Sequence, residues 1–229
     1  MKTTWLKKEG AEELLLFFNG WGMDRRIGDH LLAESLFDGF QADLLICHDY
    51  RTLEPEAGVM SEAARYGRIT VVAWSFGVWV AQHVALPPIA CAIAINGTLH
   101  PVSAERGISP EIFQATLATY SEKSRNRFNR RMCGSGEAHT LFSSMSPDRS
   151  ATDQLEELEQ LQEHFLTKGP AGGTAWSYTH AIIGGRDLVV PAEQQYRAWN
   201  ALPQTVIADM PHFPFFHFRN LQEVLECTR

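Results

Sequence analysis

The sequence predicts an α/β fold, a mostly parallel sheet flanked by helices. Three observations predict it. Six short apolar runs recur along the 229 residues. Helix-like stretches separate most of them. The runs are nearly continuous rather than alternating, the pattern of strands buried on both faces of a parallel sheet. Strands alternating with helices give a doubly wound arrangement.

The first run, 14–18, ends in the turn Asn19-Gly20-Trp21-Gly22, and a helix candidate at 27–37 follows. The second, 44–47, ends at His48-Asp49-Tyr50, with a helix candidate at 54–66. The third, 69–73, ends at Ser75. A helix candidate at 78–86 comes next and stops at Pro87-Pro88, which cannot continue a helix. The fourth run, 90–95, ends at Asn96-Gly97. The fifth, 181–183, ends at Gly184-Gly185-Arg186-Asp187, and Pro191 sits at the first turn of a helix candidate reaching 199. The sixth, 205–208, ends near His212, and a helix at 220–227 closes the chain.

Between 101 and 175 no strand-like run appears. The block is polar and rich in helix formers, with an apolar stripe at Leu155, Leu158, Leu161 and Phe165. An insertion there lies over the C-terminal edge of the sheet, where open α/β sheets bind ligands. The expected organisation is a core of residues 1–100 and 171–229 with a helical lid at 101–170. Gly169-Pro170-Ala171-Gly172-Gly173 is the expected flexible return to the core.

Composition narrows the function classes. At 45% hydrophobic residues the chain can bury one sizeable core. A net charge of -7 argues against a nucleic-acid partner. No apolar run approaches the ~20 residues that span a bilayer, and the first residues are polar, so the expected location is the cytoplasm. The four cysteines lack metal or dithiol spacing, and Cys47 and Cys91 fall in apolar runs as small core residues.

The chemistry centres on Ala73-Trp74-Ser75-Phe76-Gly77. A serine with small residues two before and two after, between a strand and a helix, can sit in a strained, exposed turn. Its hydroxyl is a poor nucleophile until a base takes the proton, and the base needs a third group to fix its tautomer. Asp187 and His212 follow in the order Ser, acid, His, each beyond the end of a different strand. His217 is the rival base, placed in or near the last helix. Backbone N–H groups of Phe76, after the serine, and Trp21, after the first run, are the expected oxyanion donors. Trp21, Trp74 and Phe76 are the expected walls of an acyl pocket. The segment 122–131 holds five basic residues against one acid, among them Arg125, Arg127, Arg130 and Arg131. It is either a solvated helix face or a docking patch for an acidic or phosphate-bearing partner.

Together, Phe18-Asn19-Gly20-Trp21-Gly22-Met23-Asp24, the Ser75 elbow, Phe128-Asn129-Arg130-Arg131-Met132-Cys133 and Pro211-His212-Phe213-Pro214-Phe215 resemble the BioG-type pimeloyl-acyl-carrier-protein methyl ester esterases of biotin synthesis, within the α/β-hydrolases. Many α/β-hydrolases carry His where Asn19 stands and Gly where Ala73 stands. The resemblance implies a carboxylesterase that frees the terminal carboxylate of a carrier-bound acyl chain, without metal or organic cofactor. It also implies an acyl carrier protein as partner, and lends the four arginines a purpose because such carriers are acidic. Two other readings stay open: a general carboxylesterase or acyl thioesterase, and a non-catalytic α/β-hydrolase fold acting as a ligand receptor.

Overall fold

The computed structural model describes residues 1–171 and 175–228. Seven strands form one sheet: β1 (Lys2–Lys7), β2 (Glu13–Phe18), β3 (Asp43–His48), β4 (Arg68–Trp74), β5 (Cys91–Ile95), β6 (His180–Gly184) and β7 (Gln204–Ile207). Their order is β1-β3-β2-β4-β5-β6-β7. All neighbours pair in parallel except β1, which runs antiparallel to β3.

The six apolar runs are β2 to β7. Every residue of β3 is buried, and β2 exposes only Glu13. These strands carry helices on both faces and need no polar side. β1 is the element the sequence pattern did not reveal. It is half-buried and carries Lys2 and Lys7, as expected of an edge strand that shields the sheet from further pairing.

The flanking helices are α1 (Arg26–Phe37), α2 (Val59–Ala63), α3 (Phe76–Ala81), α8 (Ala192–Ala198) and α9 (Leu221–Glu226). Two depart from the expected bounds. α2 is only five residues long, because Gly58 before it sits at φ +87°, where a helix cannot run. α3 starts directly after Ser75 and ends before Pro87. Bonds from the His83 and Val84 N–H to the carbonyls of Val80 and Ala81 tighten its last turn.

Between β5 and β6 stand four helices: α4 (Pro110–Thr119), α5 (Glu122–Cys133), α6 (Gly136–Ser144) and α7 (Ala151–Lys168). Each begins at a serine whose side chain accepts an N–H of the first turn: Ser109, Ser121, Ser135 and Ser150. The buried face of α7 holds Leu158 and Leu161 of the expected stripe, but also Gln154 and Glu157. Gly172 and Gly173 of the expected return lie outside the described residues.

The cysteines are free thiols. Cys47 is fully buried as expected, but the second fully buried thiol is Cys133 at the end of α5, not the half-buried Cys91. Burial pushes both buried thiols up to about 12. No helix among the described residues is long and apolar enough to cross a membrane.

Candidate active site

Ser75 stands alone between β4 and α3 at φ +57°, one of three non-glycine residues with positive φ among those described. An L-residue there is strained, and the neighbouring packing must hold it. Gly77 allows that packing. A Cβ on it would lie 2.5 Å from the carbonyl oxygens of both Phe18 and Asn19, so α3 starts pressed against the end of β2. Ala73 is fully buried, paired with Phe18 and Ala94 in the sheet.

The three residues expected to work together are in contact. Ser75 Oγ lies 2.9 Å from His212 Nε2, and His212 Nδ1 lies 2.8 Å from Asp187 Oδ2. Asp187 comes from the loop after β6, and His212 from the loop after β7. All three are buried. The carboxylate of Asp187 is fully committed. Its Oδ1 accepts the N–H groups of Val189 and Val190, both at 2.8 Å, and its Oδ2 also accepts Gln195 Nε2 at 2.9 Å. With Nδ1–H donating to Asp187, the free lone pair of the imidazole is on Nε2, facing the serine. His217 lies past a 3-10 turn, ahead of α9, with Nε2 3.9 Å from Asp209, and takes no part in this chain of contacts.

Two side chains fix the His212 loop from behind. Asn96, at the end of β5, donates to the carbonyls of Pro211 (2.8 Å) and His212 (3.0 Å) and accepts the Gly184 N–H at 2.7 Å. The Trp74 indole donates to the same His212 carbonyl at 2.8 Å. Sequence reasoning missed Asn96 and Gln195. A polar residue closing a buried run was the only available signal for Asn96, and Gln195 had none, since its partner is set by the docking of α8.

Beside the elbow, Gly20 to Met23 form a tight turn. The Met23 N–H reaches the Gly20 carbonyl at 3.4 Å and Gly22 takes φ +75°, the signature of a type II turn. Asn19 braces the turn, its Oδ1 accepting the Gly20 N–H and its Nδ2 donating to the Asp24 carbonyl, both at 2.9 Å. Among the described residues none accepts a hydrogen bond from the backbone N–H of Trp21 or Phe76.

A pocket enclosing about 520 Å³ of empty space, solvent at its mouth included, opens over Ser75 and His212. Trp21, Trp74 and Phe76 line it, together with Phe113 of α4 and Phe128 of α5. The mouth lies between α4 and α5, where Thr116, Phe128 and Arg131 continue into an outer groove that Arg127 also lines. Of the four arginines, Arg125 is held by Glu122 and by the Arg149 carbonyl, while Arg127 and Arg130 are exposed. Arg131 stacks over the Phe128 ring at 5.5 Å, and its buried Nε has no partner among the described residues.

Known proteins resemble this chain over most of its length. The family model described as pimeloyl-ACP methyl esterase BioG matches residues 1–224. A malonyl-[acyl-carrier protein] O-methyltransferase of Bacteroides fragilis is 40% identical over 192 residues, 82% of this chain and 36% of that protein. The chain thus spans about a third of that relative. The crystal structure of BioG from Haemophilus influenzae superposes with a TM-score of 0.83 at 28% identity, covering 97% of this chain and 99% of that one. An esterase from Exiguobacterium antarcticum shares the fold at a TM-score of 0.64 and 13% identity, over 99% and 91% of the two chains.

Proposed function

The chain belongs to the BioG family of pimeloyl-ACP methyl esterases, and from that premise we propose that it hydrolyses the methyl ester of pimeloyl-acyl carrier protein in biotin synthesis, with Ser75 as nucleophile, His212 as base and Asp187 as its orienting acid. The observation that carries the reading is the unbroken relay from Ser75 Oγ through His212 to Asp187 at the floor of an apolar pocket.

The geometry supports a two-step acyl transfer. Ser75 Oγ adds to the ester carbonyl while His212 Nε2 takes its proton. The carbonyl oxygen gains negative charge beside the Trp21 and Phe76 N–H groups, which have no competing acceptor among the described residues. Collapse breaks the bond to the methoxy oxygen, and His212 returns the proton so that methanol leaves. An acyl-enzyme remains on Ser75. His212 then deprotonates a water, which attacks the acyl carbonyl, and Ser75 Oγ leaves with the returned proton. The product is a free carboxylate.

The pocket suits a substrate whose reacting ester lies at the far end of an acyl chain. That chain enters between α4 and α5, past Phe128, Arg131 and Thr116. Arg127 and Arg131 at the mouth, with the exposed Arg130 beside them on α5 and Arg125 on the same helix, then meet the acidic carrier. The core of the enzyme is residues 1–100 and 171–229, and the insertion at 101–170 is the substrate-covering unit. Its four helices lie between strands that pair side by side in the sheet. A cytoplasmic location belongs to the same reading.

Ser75→Ala tests the nucleophile. Turnover of a p-nitrophenyl ester should fall by roughly 10³-fold or more, since the hydroxyl itself carries the bond-making step. Wild-type turnover in that variant sinks the relay as the catalytic machinery.

A further inference from the structure

We propose that Glu157 and Gln154 of the inserted helix α7 are positioning residues for the oxyanion turn, so that the insertion supplies part of the catalytic geometry as well as a cover. This rests on the reading of Ser75 as nucleophile and Trp21 as oxyanion donor.

The two side chains grip the turn at a single peptide-bearing residue. Glu157 Oε2 accepts the Gly22 N–H at 3.2 Å, and Gln154 Nε2 donates to the Gly22 carbonyl at 2.8 Å. The Trp21 indole donates to the Gln154 carbonyl at 2.8 Å, and Arg149 reaches the Met23 carbonyl at 3.2 Å. The central peptide of a type II turn can flip, which converts the turn to type I. Acceptance of the Gly22 N–H by a fixed carboxylate blocks that flip. The insertion and Asn19 partner the Gly20 and Gly22 N–H groups and the Gly22 and Met23 carbonyls, while the Trp21 N–H has no acceptor among the described residues.

The grip closes a ring. Glu157 Oε1 accepts the Tyr50 N–H at 3.0 Å, and the Tyr50 hydroxyl donates to the Asn19 carbonyl at 2.7 Å. Asn19 is the residue from which the turn departs. The turn is therefore held at its start by the core and at its tip by α7, through one carboxylate.

The choice of residue is telling. Glu157 is fully buried, and Arg149 neutralises it at a buried contact. Replacing a buried ion pair with well-packed apolar side chains is often neutral or stabilising. A helix that only had to cover the pocket would be served by leucine at this place, as it is at Leu158 and Leu161. Two acceptors aimed at two backbone N–H groups are what leucine could not supply.

The test compares Glu157→Leu, Glu157→Gln and Gln154→Leu in the full chain. It uses kcat and KM on a p-nitrophenyl ester, and the inhibition constant of a trifluoromethyl ketone, whose serine adduct carries the same oxyanion. Both leucine variants should lose roughly 10–100-fold in kcat, part of the loss seen when an oxyanion donor is removed. Their affinity for the ketone should drop by the same factor, with KM within about twofold. Glu157→Gln keeps one acceptor and should recover much of the loss. If Glu157→Leu does not fold, Gln154→Leu, which leaves the ion pair intact, decides. Folded variants with unchanged kcat overturn the assignment, and so does a kcat loss without loss of ketone affinity. Active Ser75→Ala in the same assay would instead overturn the nucleophile, so the two failures are distinguishable.

Discussion

Helices α5 and α7 belong to one insertion and share one pocket, yet they use charge in opposite ways. α7 turns one acid, Glu157, fully inward and pairs Asp153 and Glu156 with Arg51 on the core side. Glu157 and Asp153 meet Arg149, and Arg51 bridges Asp153 and Glu156 to Asp49 at the end of β3. α5 turns cations outward, with Arg127 and Arg130 exposed and the Arg131 Nε unpaired among the described residues. The contrast separates two jobs. Buried, matched charge fixes where a helix sits, and unmatched charge at a rim is left to meet something outside.

Three changes break or sharpen that contrast. The largest effect is expected from Arg149→Met, which strands Glu157 without its cation. Breaking a buried pair from one side costs about 3–5 kcal/mol, and urea unfolding would measure it. A loss below about 1 kcal/mol would mean that α7 is not held by its charges.

Acid should loosen the same side of the molecule. Burial pulls the His48 imidazole down from 6.5 to about 4; Asp24 and Asp49 pull it upward, Arg149 and Lys2 downward. A folded-state pKa below the unfolded one means stability is complete above pH 6.5 and falls as pH drops toward 4. Glu157 works the other way, since its burial raises its pKa despite Arg149, so protonation there relieves a cost. His48 should dominate the upper part of the range, with a loss on the order of 2 kcal/mol by pH 5. The melting temperature of His48→Gln should fall less steeply between pH 6.5 and 5 than that of the wild type. Parallel slopes would remove His48 from the account.

The smallest effect is expected at the rim. Arg127→Glu with Arg130→Glu should lower kcat/KM on the carrier-bound methyl ester about tenfold, or ~1.4 kcal/mol. The small ester should keep its rate within about twofold, and added salt should narrow the gap. Equal losses on both substrates would make α5 a structural helix like α7.

Much of this was legible in the sequence because burial leaves a mark. The runs that became β2 to β6 are largely buried, β7 at the edge keeps an apolar run though none of its residues is buried, and Ser75, Asp187 and His212 each follow one of these strands. β1 left no such mark, since a half-covered edge strand can carry Lys2 and Thr3 as readily as a loop can. The apolar stripe on α7 was readable, but nothing in it marked Glu157 and Gln154 as buried. Helical spacing locates a face, whereas the partners that bury a carboxylate come from Gly22, Tyr50 and Arg149, which spacing cannot see. For the same reason Asn96 passed as a strand-ending turn residue, though its amide ties the end of β6 to the His212 loop.

The bonds that fix the His212 carbonyl span a great length of chain. Asn96 reaches it across 116 positions and Trp74 across 138, while Ser75 meets the imidazole across 137. Contacts of such separation form late, because the intervening chain must first be ordered. A ribosome emits Ser75 and the Gly20–Met23 turn long before His212. Until the loop after the last strand docks, Ser75 stands without its imidazole partner. If Ser75 is the nucleophile, an unfinished chain cannot cleave esters, and ester cleavage reports the final closure of the fold, an event that the early growth of the sheet does not reveal.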